Sequence, residues 1–403
     1  MKEYIFTLFV RFFITLSGFI VFLATSKLFG AEGRGIIGYG TSMISLVALI
    51  LSFNLGRTFL VVTGKNTNLK NQLLPKFISM SFVLMLIAIV IILGFWTLST
   101  TAQQVIDNKL LLCFLILVPN YLWGVNSNAI YASVNKILTH HQIILWGRLT
   151  LIMFVSFFLI FKIHDIQIFV LGYAAILSFF SIFEMTTLAK PSLSFTQFKC
   201  IKTYIIKSFN VHIDYLSFNL FPLVLILVAG LSLSLNELGK LNFLIQLTNF
   251  VFTISIVGSI LMKKYVSDKG FMFHKKKIKL LFSLTLTLSF ALFIVVYSIS
   301  FSYFFKNLLP DFQDTYKSFW ILGFSLPGYA TYQIAYPVLI EYKCMDLLMK
   351  TNLIVFSFSV IILIPLIHFY GFTGACVSFS LFYVLIFVSQ AFILFNKTKL
   401  INN

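Results

Sequence analysis

Apolar runs of about 19 to 26 residues recur along the whole chain, separated by short polar breaks. They fall near 4–29, 36–55, 77–98, 110–132, 142–161 and 166–188, and again near 208–233, 241–262, 280–304, 316–340, 351–369 and 372–395. About 20 helical residues cross the hydrocarbon core of a bilayer, so each run has the length of one transmembrane helix. The pattern predicts twelve spans, and an even number puts both termini on one side. Glycines punctuate it: the first run ends in Leu28-Phe29-Gly30-Ala31-Glu32-Gly33-Arg34-Gly35. The shortest predicted connections are 162–165 and 370–371.

Composition turns this pattern into a class. Of 403 residues, 59% are hydrophobic and only 10% charged, with 49 phenylalanines, and the mean hydropathy is +0.98. Water-facing domains carry about 25% charge, so the chain reads as an all-α integral membrane protein. The first run is too long for a signal-peptide core and lacks a small-residue cleavage pattern, so it reads as a retained helix. In a soluble protein a net charge of +18 would point to nucleic acid. Here it follows the rule that Lys and Arg gather in cytoplasmic loops against anionic membrane lipids. With the N-terminus inside, 21 basic residues fall on the cytoplasmic side and 7 outside, with Arg11 and Arg148 within spans. Both termini are therefore expected in the cytoplasm and no nucleic-acid partner is expected.

The twelve spans also divide. The turn Glu32-Gly33-Arg34-Gly35-Ile36 is echoed by Glu237-Leu238-Gly239-Lys240-Leu241, and Pro119-Asn120-Tyr121 by Pro327-Gly328-Tyr329. Gly35 and Gly239 are 204 positions apart, Pro119 and Pro327 208. Nearly equal offsets of half the chain predict two six-helix lobes, residues 1–189 and 208–403, joined by a basic cytoplasmic linker at 190–207. Six helices preserve orientation, so the lobes would be parallel repeats.

Charges within spans are expensive and mark candidate sites. Adding the repeat offset to Arg11 lands beside Asp214, each about seven residues into its span. Two readings stay open. One is a structural ion pair or two separately snorkelling charges. The other is a phosphate contact at Arg11 with Asp214 as counter-ion or ion-coupling carboxylate. Pro222 predicts a kink or break in the span carrying Asp214. Arg148 and Glu184 lie within a turn or two of the cytoplasmic edge, where snorkelling is the expectation. Arg57 follows Asn54-Leu55-Gly56 at the end of the second span. The fourth span is polar after Pro119, and Asn120, Asn126, Ser127 and Asn128 read as a cavity lining or as interhelical hydrogen bonds. His140 and His141 are adjacent, and neighbours on a helix do not share a face. There is no P-loop, no metal-ligand spacing and no large outward loop with paired carboxylates, so no cofactor and no catalytic residue is expected.

Twelve helices in two lobes with small loops resemble the multidrug/oligosaccharidyl-lipid/polysaccharide exporter superfamily. Leu28-Phe29-Gly30 with Glu32-Gly33-Arg34-Gly35, and Phe53-Asn54-Leu55-Gly56 at the end of the second span, look like its polysaccharide branch. Within that branch, length and a Phe/Ile/Lys/Asn-rich composition are most similar to Wzx-type O-antigen flippases. The resemblance implies alternating access around a central cationic cavity and coupling to an ion gradient. The cargo it implies is undecaprenyl-diphosphate-linked repeat units for lipopolysaccharide, moved from the cytoplasmic to the periplasmic leaflet of the bacterial inner membrane. It also implies an O-antigen polymerase and a chain-length regulator as partners. It makes Arg11 the diphosphate contact, with Arg148 and Arg57 as further candidates and Asp214 as the coupling carboxylate. The spans hold fewer cations than lipid II flippases of that superfamily. A drug/cation antiporter would need more acidic residues in its cavity, and a membrane polymerase would need a large periplasmic loop.

Overall fold

The computed structural model describes residues 2–64, 66–189, 206, 209, 212–269, 275–341 and 344–402, and among these every regular element is helical. In chain order the first are α1 (Lys2–Leu51), α2 (Leu55–Thr63), α3 (Thr67–Leu98), α4 (Thr100–Val105) and α5 (Asn108–Leu115). Next come α6 (Val118–Ser133), α7 (Ile137–Ile160), α8 (Ile166–Leu188), α9 (His212–Asn219) and α10 (Phe221–Ala229). The remainder are α11 (Leu235–Lys269), α12 (Lys275–Ser300), α13 (Tyr303–Leu308), a 3-10 turn at Pro310–Thr315, α14 (Tyr316–Gly323), α15 (Leu326–Glu341) and α16 (Met345–Asn402).

Over their described residues all twelve expected runs coincide with a helix or a broken helix. Among the described residues eight stretches are long and apolar enough to cross a membrane as they stand, and α9 with α10 makes a ninth, bent by 41°. Two of the eight, Phe12–Leu60 and Met345–Ile393, are themselves pairs, because α1 breaks at Gly30 (φ 62°) and α16 at Gly371 (φ 53°). Positive φ costs glycine nothing and other residues about 1 kcal/mol or more, so the helix axis turns there. The twelfth expected run to be placed, 316–340, falls on α14 and α15. Proline explains three of the breaks. Pro119, Pro222 and Pro327 each stand second in α6, α10 and α15. In the first turn the missing N–H removes no helical bond, so a new helix starts at each. The break anticipated near Pro222 falls at Leu220. The short 162–165 connection also exists: Lys162 takes φ 52°, and Asp165 caps α8 by accepting from the Gln167 and Ile168 nitrogens.

The chain forms two compact units, Met1–Phe29 with Ile36–His212, and Gly30–Gly35 with Ile213–Asn403. The linker expected at 190–207 lies outside the described residues except for Ile206. In the first unit α6 packs on α2, α3, α7 and α8. Its core includes a knot of Phe154, Phe158 and Phe169 with ring centroids 4.8 to 5.6 Å apart. In the second unit α15 packs on α11 and α16, with Phe252 of α11 stacked on Tyr329 at 3.8 Å, and α10 packs on α16 with Phe221 stacked on Phe382 at 4.3 Å. Lipid is as apolar as leucine, so such packing works through close fit rather than escape from water. Leu98, Ile160 and Phe369 remain largely exposed, as lipid-facing positions should.

Within the second unit the two echoed glycines meet. A Cβ on Gly239 would lie 2.9 Å from the Gly35 nitrogen and overlap the Ala31 carbonyl, so only hydrogen fits at this contact. Beside them Arg34 is buried and donates from Nη2 to Asn242 Oδ1 at 2.6 Å. The Asp311 carboxylate accepts from the Ala31 nitrogen at 3.3 Å, capping the arm of α1 that follows Gly30. Lys240 pairs with Asp314 at 2.6 Å.

Candidate functional site

Asp214 stands on α9 and is fully buried. Asn352, equally buried on the first arm of α16, donates its Nδ2 to Asp214 Oδ1 at 2.7 Å. A carboxylate at membrane depth is tolerated only where protein groups replace water. The Asn352 carbonyl Oδ1 has no hydrogen-bond partner among the described residues. Together the two side chains offer the oxygens that a proton or a hard cation takes. His212, two residues earlier, is held elsewhere: its Nε2 lies 3.1 Å from the Ile50 carbonyl and must be the protonated nitrogen to donate there.

Arg11 is carried on the first arm of α1, and its side chain lies outside the described residues. In the first unit Arg148 is half-buried on α7, with Nη1 3.9 Å from the position of a Cβ on Gly18. Its guanidinium thus reaches across to α1 where that helix has no side chain. It also acts electrostatically on Tyr121, whose hydroxyl hydrogen-bonds Ser45 and Thr41 on α1. Asn120 accepts from Ser181 Oγ at 3.2 Å. Arg148 with Tyr121, and Asn120 with Ser181, are thus polar groups of the first unit set within its spans. Arg148 and Asn352 are also 204 positions apart, so the repeat offset relates a cation in the first unit to the partner of Asp214 in the second.

Arg57 and Asn126 belong to one local structure. Phe53 (φ 44°) and Asn54 (φ 49°) are both left-handed, an uncommon state for non-glycine residues. The turn they make docks on α6: the Gly56 nitrogen donates to Asn126 Oδ1 at 2.8 Å. A Cβ on Gly56 would lie 2.9 Å from the Asn126 Cα. Asn126 Nδ2 donates to the Leu122 carbonyl at 3.1 Å. In this structure the Asn126 amide is fully buried and hydrogen-bonded to backbone, joining α2 to α6. Arg57, next in sequence, is half-buried.

Glu184 departs from the snorkelling expectation. It is 4% exposed, accepts from Trp123 Nε1 at 2.9 Å and lies 2.8 Å from His140 Nδ1. Tyr131 donates to the Glu184 backbone carbonyl at 2.9 Å and its ring stacks on His140 at 5.0 Å. His141 is buried as well, its ring 5.6 Å from that of His140. The reason is tertiary. The end of α8 lies against the start of α7, so the carboxylate finds donors inside the unit before it finds headgroups. One sequence signal was available: Glu184 and Asp214 are the only carboxylates set inside expected spans.

An all-α membrane protein of two compact helical units, each with a buried carboxylate or cation in its spans, is the class that fold and sites define. No family model and no curated protein matches the sequence. Solved structures do. A lipid II flippase, MurJ, in an inward closed conformation matches 96% of this chain and 86% of that chain, with a TM-score of 0.74 and 14% identity. An inward-facing multidrug resistance MATE family transporter of the MOP superfamily matches 98% and 99%, with TM-score 0.62 and 13% identity. The MATE multidrug transporter DinF-BH, solved as a complex, matches 96% and 93%, with TM-score 0.58 and 15% identity. The fold is therefore that of these transporters.

Proposed function

We propose that this protein is a flippase for undecaprenyl-diphosphate-linked O-antigen repeat units. On this reading it carries them from the cytoplasmic to the periplasmic leaflet of the bacterial inner membrane by alternating access of two six-helix lobes, with both termini in the cytoplasm. The observation that carries the reading is the fold likeness to a lipid II flippase over 96% of this chain. The TM-score is higher there than against the two multidrug carriers. A diphosphate-sugar head cannot enter hydrocarbon without replacement of its water shell, so a carrier must supply cations and polar groups. Arg11, Arg148 and Arg57 are the cations of this proposal, and Asn120 with Tyr121 the groups for sugar hydroxyls. Asp214 with Asn352 is its ion-coupling site, loading a proton or small cation as the head is released. The reading needs no catalytic residue and no cofactor, and it places the protein before an O-antigen polymerase and its chain-length regulator.

The test is reconstitution. Purified protein in liposomes containing a fluorescent undecaprenyl-diphosphate oligosaccharide should expose the label to an added quencher. Asp214→Asn and Arg148→Ala should slow that exposure while remaining monodisperse. Export of a cationic dye with no movement of the lipid-linked sugar would replace this reading with a drug carrier.

A further inference from the structure

The Glu184 cluster has no part in that proposal, yet its carboxylate is buried within the spans and held by side chains of two other helices. Three helices supply it: Trp123 and Tyr131 from α6, His140 and His141 from α7, and Glu184 with Thr187 from α8. All three helix ends meet here. Glu184 is four residues before the end of α8, His140 is the fourth residue of α7, and Tyr131 is third from the end of α6. One helical turn, about 5 Å, therefore separates the cluster from the membrane edge. By the charge rule that edge is cytoplasmic, with Lys136 immediately before α7.

The charge state is confined by the partners. Trp123 is a donor only, and Tyr131 donates to the Glu184 backbone carbonyl. Neutral His140 donating from Nδ1 leaves the pair at net −1. One more proton, on His140 Nε2 or on the carboxylate, brings it to zero. The pair therefore offers one exchangeable proton. Other groups on the helices packed against α8 sit away from it. Asp107 and Lys109 stand at the opposite end of α8, where Gln167 donates to Asp107. Arg148 lies two turns further along α7, beside Gly18 and Tyr121.

We propose that Glu184 and His140 form a proton-binding site of the first unit, loaded from the edge at Lys136, with Trp123 holding the carboxylate in place. The proposal rests on the carrier reading only for the use made of the proton, because binding itself is measurable without transport.

The experiment uses the full chain in lipid nanodiscs with Trp96, Trp146 and Trp320 replaced by Phe. This leaves Trp123 as the only one of the four tryptophans. Its emission should show a one-proton transition between pH 4.5 and 9, because its indole N–H is bonded to the titrating pair. Glu184→Gln should abolish the transition. His140→Gln should move its midpoint by about one pH unit or more, as expected for loss of a partner in direct contact. Glu184→Asp, which keeps a carboxylate, should shift it without removing it, and covers the case in which the glutamine variant does not fold. A flat emission, a transition that survives Glu184→Gln, or one lost with His141→Gln but kept in His140→Gln would overturn the proposal. In liposomes, Glu184→Gln should remove the dependence of lipid-linked sugar movement on a pH gradient. If the wild type shows the Trp123 transition but no sugar movement, the carrier reading fails and the proton site stands.

Discussion

Gly239→Ala tests the close approach in the second unit. At an open helical position alanine is favoured over glycine by about 1 kcal/mol. At Gly239 the added Cβ would lie 2.6 Å from the Ala31 carbonyl carbon and 2.9 Å from the Gly35 nitrogen, whereas ordinary contact begins at 3.4 Å. The neighbours are backbone, so the second arm of α1 must withdraw from α11 by roughly 0.8 Å or more, the deficit at the carbonyl carbon. Such a shift stretches the 2.6 Å bond from Arg34 to Asn242 to the limit of hydrogen bonding. Overpacking costs about 1–3 kcal/mol and a weakened charge-assisted bond up to about 1.5 more. After the helix gain, a net loss of up to about 3.5 kcal/mol remains, a fall of up to roughly 10 °C in apparent Tm for a unit of this size. The assay is scanning fluorimetry in detergent. Its internal control is Gly94→Ala, where no atom lies within 4 Å of the new Cβ; that variant should hold or raise Tm. Equal midpoints for the two variants would refute the reasoning.

Three further outcomes follow from named contacts. Asn126→Ala leaves the buried Gly56 N–H without its acceptor and should cost about 1–3 kcal/mol, seen as a lower Tm with protease sensitivity rising first around Phe53–Gly56. Asp311→Ala removes the cap on the Ala31 nitrogen and should lower Tm by the equivalent of about 1 kcal/mol, whereas Asp311→Asn should recover most of it. Pro222→Ala restores the missing N–H at the break between α9 and α10; a spin-label pair at Ile213 and Val228 should report a smaller bend than 41°.

The fold was legible because its signals are local. A run of apolar residues reveals a span wherever it packs, and Gly30, Gly371 and Pro222 act through their own backbone. Hence the breaks appear where expected. Gly35 and Gly239 stand in echoed turns of the sequence, and in the structure both need a missing side chain. That they touch one another was not legible, because a glycine does not name its neighbour.

The polar groups divide differently. Hydropathy alone identified Asp214 as a charge that needs protein around it, and the structure supplied Asn352, 138 positions away. For Asn126 the sequence showed a polar residue on an apolar helix and nothing of the Gly56 nitrogen it serves. Glu184 was placed correctly near the end of its span, but its surroundings depend on where α7 begins against α8. His140 and His141 showed only that neighbours diverge on a helix, whereas the crossing of α6, α7 and α8 buries both. Span positions and helix breaks follow from residue-by-residue transfer and backbone terms, which sequence carries in full. The pairing of each buried polar group is a long-range packing outcome, and only the tertiary structure decided it.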